Sequence, residues 1–324
     1  SSSGTGSWLT IAMSSSGQYQ SAGTDISFIY YSTNYGITWT QSNATTGWLS
    51  IAMSSSGQYQ SAGKINGSIW YSTNYGINWT VSNSIGGVNW RSIAMSSSGQ
   101  YQTASSPTGM YYSTNYGVDW TKSTSSVSTC NSISISSSGQ YQSAVVFGGS
   151  IYYSTNYGVS WTQSNSNNGS WSIVAVSSSG QYQSASRISS SIWYSTDYGV
   201  SWLQSNSISA SWRSVAMSSS GQYQMAIIYG GSIWYSSDYG KTWGQLNAVN
   251  ANWISISMSS SGQYITAIGS SIYTANIPIP ATSYLTNTNL VIGNVRQNTG
   301  ATGSIVLNAS LTTMTGFSGS QCYI

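Results

Sequence analysis

Histidine and glutamate are absent from these 324 residues, and aspartate occurs only four times. Without histidine, a Ser-His-Asp relay and a histidine-ligated zinc site are both excluded. Cysteine occurs twice, at Cys130 and Cys322. Two residues so far apart make neither a disulfide framework nor a metal cluster, and both are expected as free thiols. No metal or cofactor is expected. Positive charge is also scarce: seven Lys or Arg give a net charge of +3 and no basic stripe, so nucleic acid is not an expected partner. No apolar run is long enough to span a bilayer. The first residue is Ser rather than Met and nothing like a signal peptide follows it, so a processed form or a fragment is expected. So few titrating groups leave a surface of Ser, Thr, Asn, Gln and Tyr that should respond weakly to salt and modestly to pH. Such a surface suits an exposed, extracellular life.

What is abundant is repetition. Tyr31-Ser32-Thr33-Asn34-Tyr35-Gly36-Ile37-Thr38-Trp39 returns, lightly edited, at Tyr71 to Trp79, Tyr112 to Trp120, Tyr153 to Trp161, Tyr194 to Trp202 and Tyr235 to Trp243. A companion, Ser14-Ser15-Ser16-Gly17-Gln18-Tyr19-Gln20, restarts at Ser54, Ser96, Ser136, Ser177, Ser218 and Ser259, in steps of 40 to 42 residues. A period near 40 with four short strand-like runs inside it signals a radial β-array with one repeat per blade. The predicted fold is therefore all-β, a seven-bladed β-propeller of four-stranded repeats of about 41 residues, with no helical periodicity anywhere.

The pattern Ser-x-Asn/Asp-x-Gly-x-x-Trp resembles the Asp-box of the bacterial neuraminidase repeat, a motif of sialidases, sortilin-like receptors and photosystem assembly factors. Its residue types predict a turn. The Asn or Asp side chain bonds backbone further on, the glycine supplies a positive φ, and the Trp opens the next strand and wedges between blades. The box residues are Asn34, Asn74, Asn115 and Asn156 in four copies, and Asp197 and Asp238 in two. A turn tolerates that exchange, whereas a hard cation would feel the missing charge. The box thus argues for fold rather than activity.

In the second repeat, Trp48 to Ser54 alternates large apolar with small residues, as a strand buried on both faces does. It is expected to be strand A, nearest the axis. Gln58 to Ala62 is then strand B, Ser68 to Ser72 strand C and Ile77 to Val81 strand D. Blades stabilise one another by closing the ring, which also protects sheet edges. Seven serine turns accompany only six boxes, so the seventh blade lacks an outer strand; residues upstream of Ser1 or the segment after Pro280 could supply it. The propeller is expected over residues 1–276. Residues 277–324 form a short β-rich or extended tail with the apolar runs Leu290 to Ile292 and Ile305 to Leu307. Within the tail, Gly303 to Ser310, followed by Gly316-Phe317 and Cys322-Tyr323-Ile324, resembles the segment that precedes the self-cleaving chaperone of phage and large-virus fibre proteins. That resemblance implies a homotrimer or other homo-oligomer assembled through the tail.

Sialidases combine a Tyr nucleophile, a Glu base, an Asp acid and three Arg. Here Glu is missing, and Asp119, Asp197 and Asp238 lie in boxes. Glycosidases need two carboxylates about 5–10 Å apart. Asp25 has no carboxylate partner on its own face, so an enzyme is not expected. A-B turns and boxes hardly vary between repeats, whereas the B-C loops (such as 23–27, 63–67, 145–149, 186–190 and 227–231) and the D-A loops (such as 43–47 and 83–89) do. Such a scaffold is expected to present a recognition surface on the loop rim. The candidate ligand-binding residues there are Arg91 and Arg213, each directly after a strand-A Trp, then Lys64, Arg187 and Asp25. The strand-A tryptophans are expected mainly to pack between blades; where they expose an edge, Trp90 and Trp212 are candidate flat platforms for sugar rings. The expected function is a non-enzymatic binding head on an extracellular or virion-surface fibre, recognising carbohydrate or glycoprotein on a host cell surface. A purely structural coat or filament subunit is the alternative, and a degenerate sialidase-like hydrolase the third reading.

Overall fold

In a computed structural model, the structure describes residues 8–125, 127, 130–246, 250–269 and 272–276, together with two short strands in the tail. Every repeat forms an antiparallel meander, as its alternating pattern predicts. In the first, strands Trp8–Met13, Gln20–Thr24, Tyr30–Ser32 and Thr40–Gln41 pair in chain order. The outermost strand is only two residues long in each of the first six sheets, shorter than the sequence pattern suggests. The seventh sheet has three strands, Ser255–Met258, Tyr264–Ile268 and Ile272–Asn276. In the tail, Val295–Gln297 pairs antiparallel with Ile305–Leu307. The run Leu290 to Ile292 and, apart from Ile305–Leu307, the segment expected to oligomerise lie outside the described residues.

Successive sheets pack face to face through a repeated core. Between the first and second sheets, Ile29, Ala44, Trp48, Ile51, Ala62 and Trp79 form one buried cluster, and five similar clusters follow along the chain. The bulky side of each strand A meets the slim side of the preceding sheet. A side chain at Gly63 would collide with Trp90, its Cβ lying 2.6 Å from that of the tryptophan. A second, polar contact crosses four of these six junctions. Ser21 donates to Gln60 Oε1 at 2.7 Å, and Thr103 to Gln142, Ser143 to Gln183 and Ser184 to Gln224 do likewise. At the last junction both partners change together: Met225 and Ile265 fill these places, buried in one apolar cluster. Near the axis, the N–H of Ser15 donates to the carbonyl of Ser55, and the same bond steps through Ser97, Ser137, Ser178 and Ser219 to Ser260.

Among the described residues, the first and seventh sheets make no hydrogen bond with one another. The face of the first sheet that every later sheet buries is bare. Ile11 is 65 % exposed against 7 % for its counterpart Ile51, and Trp8 is 43 % exposed against 0 % for Trp48.

Two expected loops are strands instead. Gln142–Gly149 and Gln224–Gly231 run eight residues each, past the end of the neighbouring strands. Their tips, Phe147 to Gly149 and Tyr229 to Gly231, pair with Ser170–Gly169 and Asn252–Ala251 of the following repeats. Val145-Val146-Phe147 and Ile227-Ile228-Tyr229 are β-branched and aromatic, and so favour extended backbone over a loop. The glycines behind them turn the chain, Gly148 at φ 75 and Gly230 at φ 70.

Candidate functional site: the loop rim

The two rims of the array differ in chemistry. On one, the Asp-box corners satisfy themselves. The Ser32 hydroxyl donates to Asn34 Oδ1 at 3.0 Å and accepts the Gly36 N–H, while Asn34 Oδ1 also accepts the Thr38 N–H at 2.9 Å. Asp197 and Asp238 make the same bonds through one carboxylate oxygen. The Trp39 indole N–H closes the corner onto the Gly36 carbonyl at 3.0 Å. Each corner is tied to the A-B turn of its own repeat, with the Tyr35 N–H donating to the Gln18 carbonyl at 3.1 Å.

Neighbouring repeats are stapled there by tyrosines, which the sequence pattern alone did not reveal. Tyr19 stacks on Tyr75, and four further pairs repeat this with ring centroids 4.0 to 4.2 Å apart. The box tyrosines hold φ between 61 and 65, a region that disfavours side chains. Their retention in five of the six boxes is accounted for by the stack; Tyr35 has no such partner. Asp119, also on this rim, accepts from Asn83 and from Asn115 at 2.6 Å each, and these two amides, in that order, hold its carboxyl below the ordinary 3.8.

The other rim gathers the B-C and D-A loops. The Ile65 N–H donates to the Gly47 carbonyl at 2.7 Å, and the Gly67 N–H to Val88 at 3.0 Å. Beyond the first residue of each D-A segment, where Asn43 and Asn83 reach the next repeat's box, the two rims stand apart as the sequence pattern implies. Asp25, Lys64, Arg91, Arg187 and Arg213 all lie on the loop rim. Trp90 and Trp212 do not offer platforms. They are 0 % and 2 % exposed, and their indole N–H groups bond the carbonyls of Gly67 and Ser190. Wedging between sheets removes their faces from any ligand, which corrects their candidacy.

The cations are placed by strand irregularities. At the start of strand A the register shifts between Trp212 and Ser214, a β-bulge that turns Arg213 outward. Arg91 holds the same repeat position, and both are exposed. Lys64 and Arg187 also correspond to one another, each paired in register with the Trp of its own strand A, Trp48 and Trp171. Lys64 Nζ donates to the Thr45 hydroxyl at 2.9 Å, and the Arg187 guanidinium lies 5.8 Å from the Trp171 ring centroid, a cation–π distance. The Trp90 N–H bonds the Lys64 carbonyl at 3.2 Å, tying the backbones of the second and third sheets, while the Lys64 side chain turns back to Thr45. The strands that carry Arg187 and Arg213 pack together across the fifth and sixth sheets, with the Arg187 side chain held over Trp171 of its own sheet. Arg91 and Arg213, by contrast, are three sheets apart and do not form one site. Asp25 is on the first sheet, half-buried, with its Oδ1 buried and unpartnered. On the axis, a cavity of about 180 Å³ is walled by uncharged residues such as Met13, Met53, Met95, Ile135 and Val176 and by the serine turns.

A profile of the BNR-Asp box repeat matches residues 233–246, the sixth box and its flanks. No curated protein sequence matches the chain. Among solved structures, the chain is similar to a GH74 xyloglucanase from Xanthomonas campestris at 16 % identity and TM-score 0.65, over 86 % of this chain and 53 % of that one. It therefore spans about half the length of that enzyme. It is also similar to YCF48 from Cyanidioschyzon merolae (15 % identity, TM-score 0.60, 84 % and 96 % covered). A third likeness is to the Swd1 β-propeller domain of Myceliophteria thermophila (12 %, TM-score 0.64, 85 % and 98 %). At these identities the likeness is one of fold. The chain is an all-β array of Asp-box repeats with a β-propeller architecture.

Proposed function

We propose that this chain is a non-enzymatic binding head, displayed outside a cell or on a virion surface, that recognises glycans or glycoproteins through its loop rim. The proposal takes the seven sheets as blades of one ring and the tail as the route to a multivalent assembly, where weak single sites compound. One observation carries it. The rim that staples neighbouring repeats is held nearly constant, while the opposite rim differs from sheet to sheet and holds four of the seven cations. Loops on a rigid repeat scaffold are where recognition concentrates.

The xyloglucanase likeness raises hydrolysis as a rival. Three of the four aspartates sit on the box rim, two of them engaged in their own turns and Asp119 held by two amides, which leaves Asp25 as the loop rim's carboxylate. Glycoside hydrolysis by the usual pair of carboxylates needs two flanking one bond.

The test is a glycan array probed with the chain, its Arg91→Ala/Arg213→Ala variant, and a Thr33→Ala/Thr155→Ala variant altered only on the box rim. Binding that is lost in the first variant and kept in the second supports the loop rim. A blank array from folded protein, or equal losses in both variants, overturns it.

A further inference from the structure

In the fourth and sixth sheets strand B runs past its neighbours and ends in one order of residues: two β-branched, one aromatic, two glycines and a serine. These are Val145 to Ser150 and Ile227 to Ser232. Each aromatic sits where the strand pairs with the following repeat, Phe147 opposite Ser170 and Tyr229 opposite Asn252. The rings stay in solvent, 59 % exposed at Phe147 and 58 % at Tyr229. The glycines behind them add no wall. A Cβ at Gly148 would meet nothing within 4 Å, and one at Gly230 only Asn252 Oδ1 at 3.8 Å. Single exposed apolar residues are ordinary on a surface, but these two share one place and one set of supports.

A polar relay runs beside each tip. Gln163 Nε2 donates to the Ser150 hydroxyl at 2.9 Å, and that hydroxyl donates to Asn168 Oδ1 at 2.7 Å. In the sixth sheet Gln245 Nε2 donates to Ser232 at 2.7 Å, and Ser232 to Asn250 Oδ1 at 2.6 Å. The serine proton goes to the asparagine oxygen, which fixes the amide with its NH2 turned away. Among the described residues neither Asn168 Nδ2 nor Asn250 Nδ2 donates to the protein, and both asparagines are exposed. Asn168 stands two residues from Ser170, the partner of Phe147, and Asn250 two from Asn252, the partner of Tyr229. That spacing returns to the same face of an extended chain. Counted from the strand-B positions of Gln142 and Gln224, the aromatic and the asparagine occur together in these two sheets and neither occurs at these places in any other. The fifth sheet, between them, has Ile188 and Ser209.

A ring held on a paired strand, beside an amide already oriented, loses little freedom when a ligand settles on it. A flat apolar face with a donor at its side suits a pyranose, which presents C–H groups on its faces and hydroxyls round its edge. We infer that the loop rim carries two equivalent stations, Phe147 with Asn168 and Tyr229 with Asn250. At each, a neutral sugar ring stacks on the aromatic face and the asparagine amide donates to a hydroxyl of the same glycan. The inference rests on the reading of the loop rim as a glycan-binding surface and gives to these exposed rings the platform role that the buried Trp90 and Trp212 cannot fill.

The test titrates the whole chain over two arrays, one of neutral oligosaccharides of hexoses and N-acetylhexosamines, the other of sialylated and sulfated glycans. Neutral glycans should bind, and Phe147→Ala/Tyr229→Ala should raise the half-saturating concentration about tenfold or more. Phe147→Tyr/Tyr229→Phe, which keeps both faces, should bind as the parent does. Asn168→Asp/Asn250→Asp still accepts from the two serines but donates nothing, and should also weaken binding. Thr33→Ala/Thr155→Ala on the box rim should change nothing. Neutral binding left intact by the alanine pair or by the aspartate pair, or lost equally in the box-rim variant, overturns the inference. Binding of acidic glycans alone, lost in Arg91→Ala/Arg213→Ala, overturns it while leaving the broader reading of the rim standing; blank arrays overturn both. Circular dichroism and urea midpoints establish that each variant is folded.

Discussion

Substituting Ile11 distinguishes a closed ring from an open array. In later sheets the corresponding Ile51, Ile93, Ile133 and Ile256 are between 5 % and 8 % exposed, whereas Ile11 is 65 % exposed. Several unmatched groups on the first sheet have counterparts on the seventh. The stacking series leaves over Tyr223, which precedes the sheet without a box, and Tyr35 and Tyr264, 61 % and 52 % exposed, on the first and seventh sheets. Gln20 faces the place where Thr266 would continue the hydroxyl–amide pairs, and the axial ladder ends at Ser260 with Ser15 at its other end. Docking of the seventh sheet on the first would bring Ile11 near the exposure of Ile51. Full burial of an isoleucine is worth about 1.5–3 kcal/mol, so somewhat over half of that, roughly 1–2 kcal/mol, comes from this side chain alone. Replacement by serine adds a cavity and a polar group, and Ile11→Ser is expected to cost about 2–4 kcal/mol, close to Ile51→Ser. On an exposed face the same change stays within about 0.5 kcal/mol. Urea unfolding followed by tryptophan fluorescence measures both variants. An Ile11→Ser midpoint equal to wild type, alongside a clear shift for Ile51→Ser, refutes closure. A cost that fades on dilution would place another molecule's sheet on this face.

Two further outcomes follow from the corners and the core. Asp197→Asn should be nearly neutral in the same assay, because asparagine makes the same turn bonds in four sister boxes; Ser195→Ala, which strips the Gly199 N–H and Asp197 of a partner, should cost about 1–2 kcal/mol. The Cys130 thiol is buried and pushed up to about 12 by that burial, so native protein at pH 8.5 should leave it unalkylated by iodoacetamide and expose it only in denaturant. Mass spectrometry of the Cys130 peptide reads the result, and stoichiometric labelling of native protein would contradict it.

Much of the architecture is legible in the sequence because a period of 40 to 42 residues and a glycine-bearing corner constrain backbone geometry locally. The strand order, the separation of the rims and the turn role of Asn34 and its sisters follow from that. What escapes is what depends on neighbours. Val145 to Gly149 reads as a loop in alignment with the other repeats, yet its β-branched residues find strand partners in the next repeat. Trp90 and Trp212 are covered by the adjoining sheet, as their regular placement at the start of strand A implies, and this removes the platform role.

The exchange of the hydroxyl–amide contact for Met225 and Ile265 bears on how near-identical units find their order. Copies this similar are liable to mate with the wrong neighbour, or with a unit of another chain, since most repeats carry the same hydroxyl and the same amide at these places. Methionine set against glutamine would strand an amide without a donor, and isoleucine set against serine would strand a hydroxyl. The final pair therefore acts as a key: it penalises a skipped or swapped unit and tells the chain which sheet comes last.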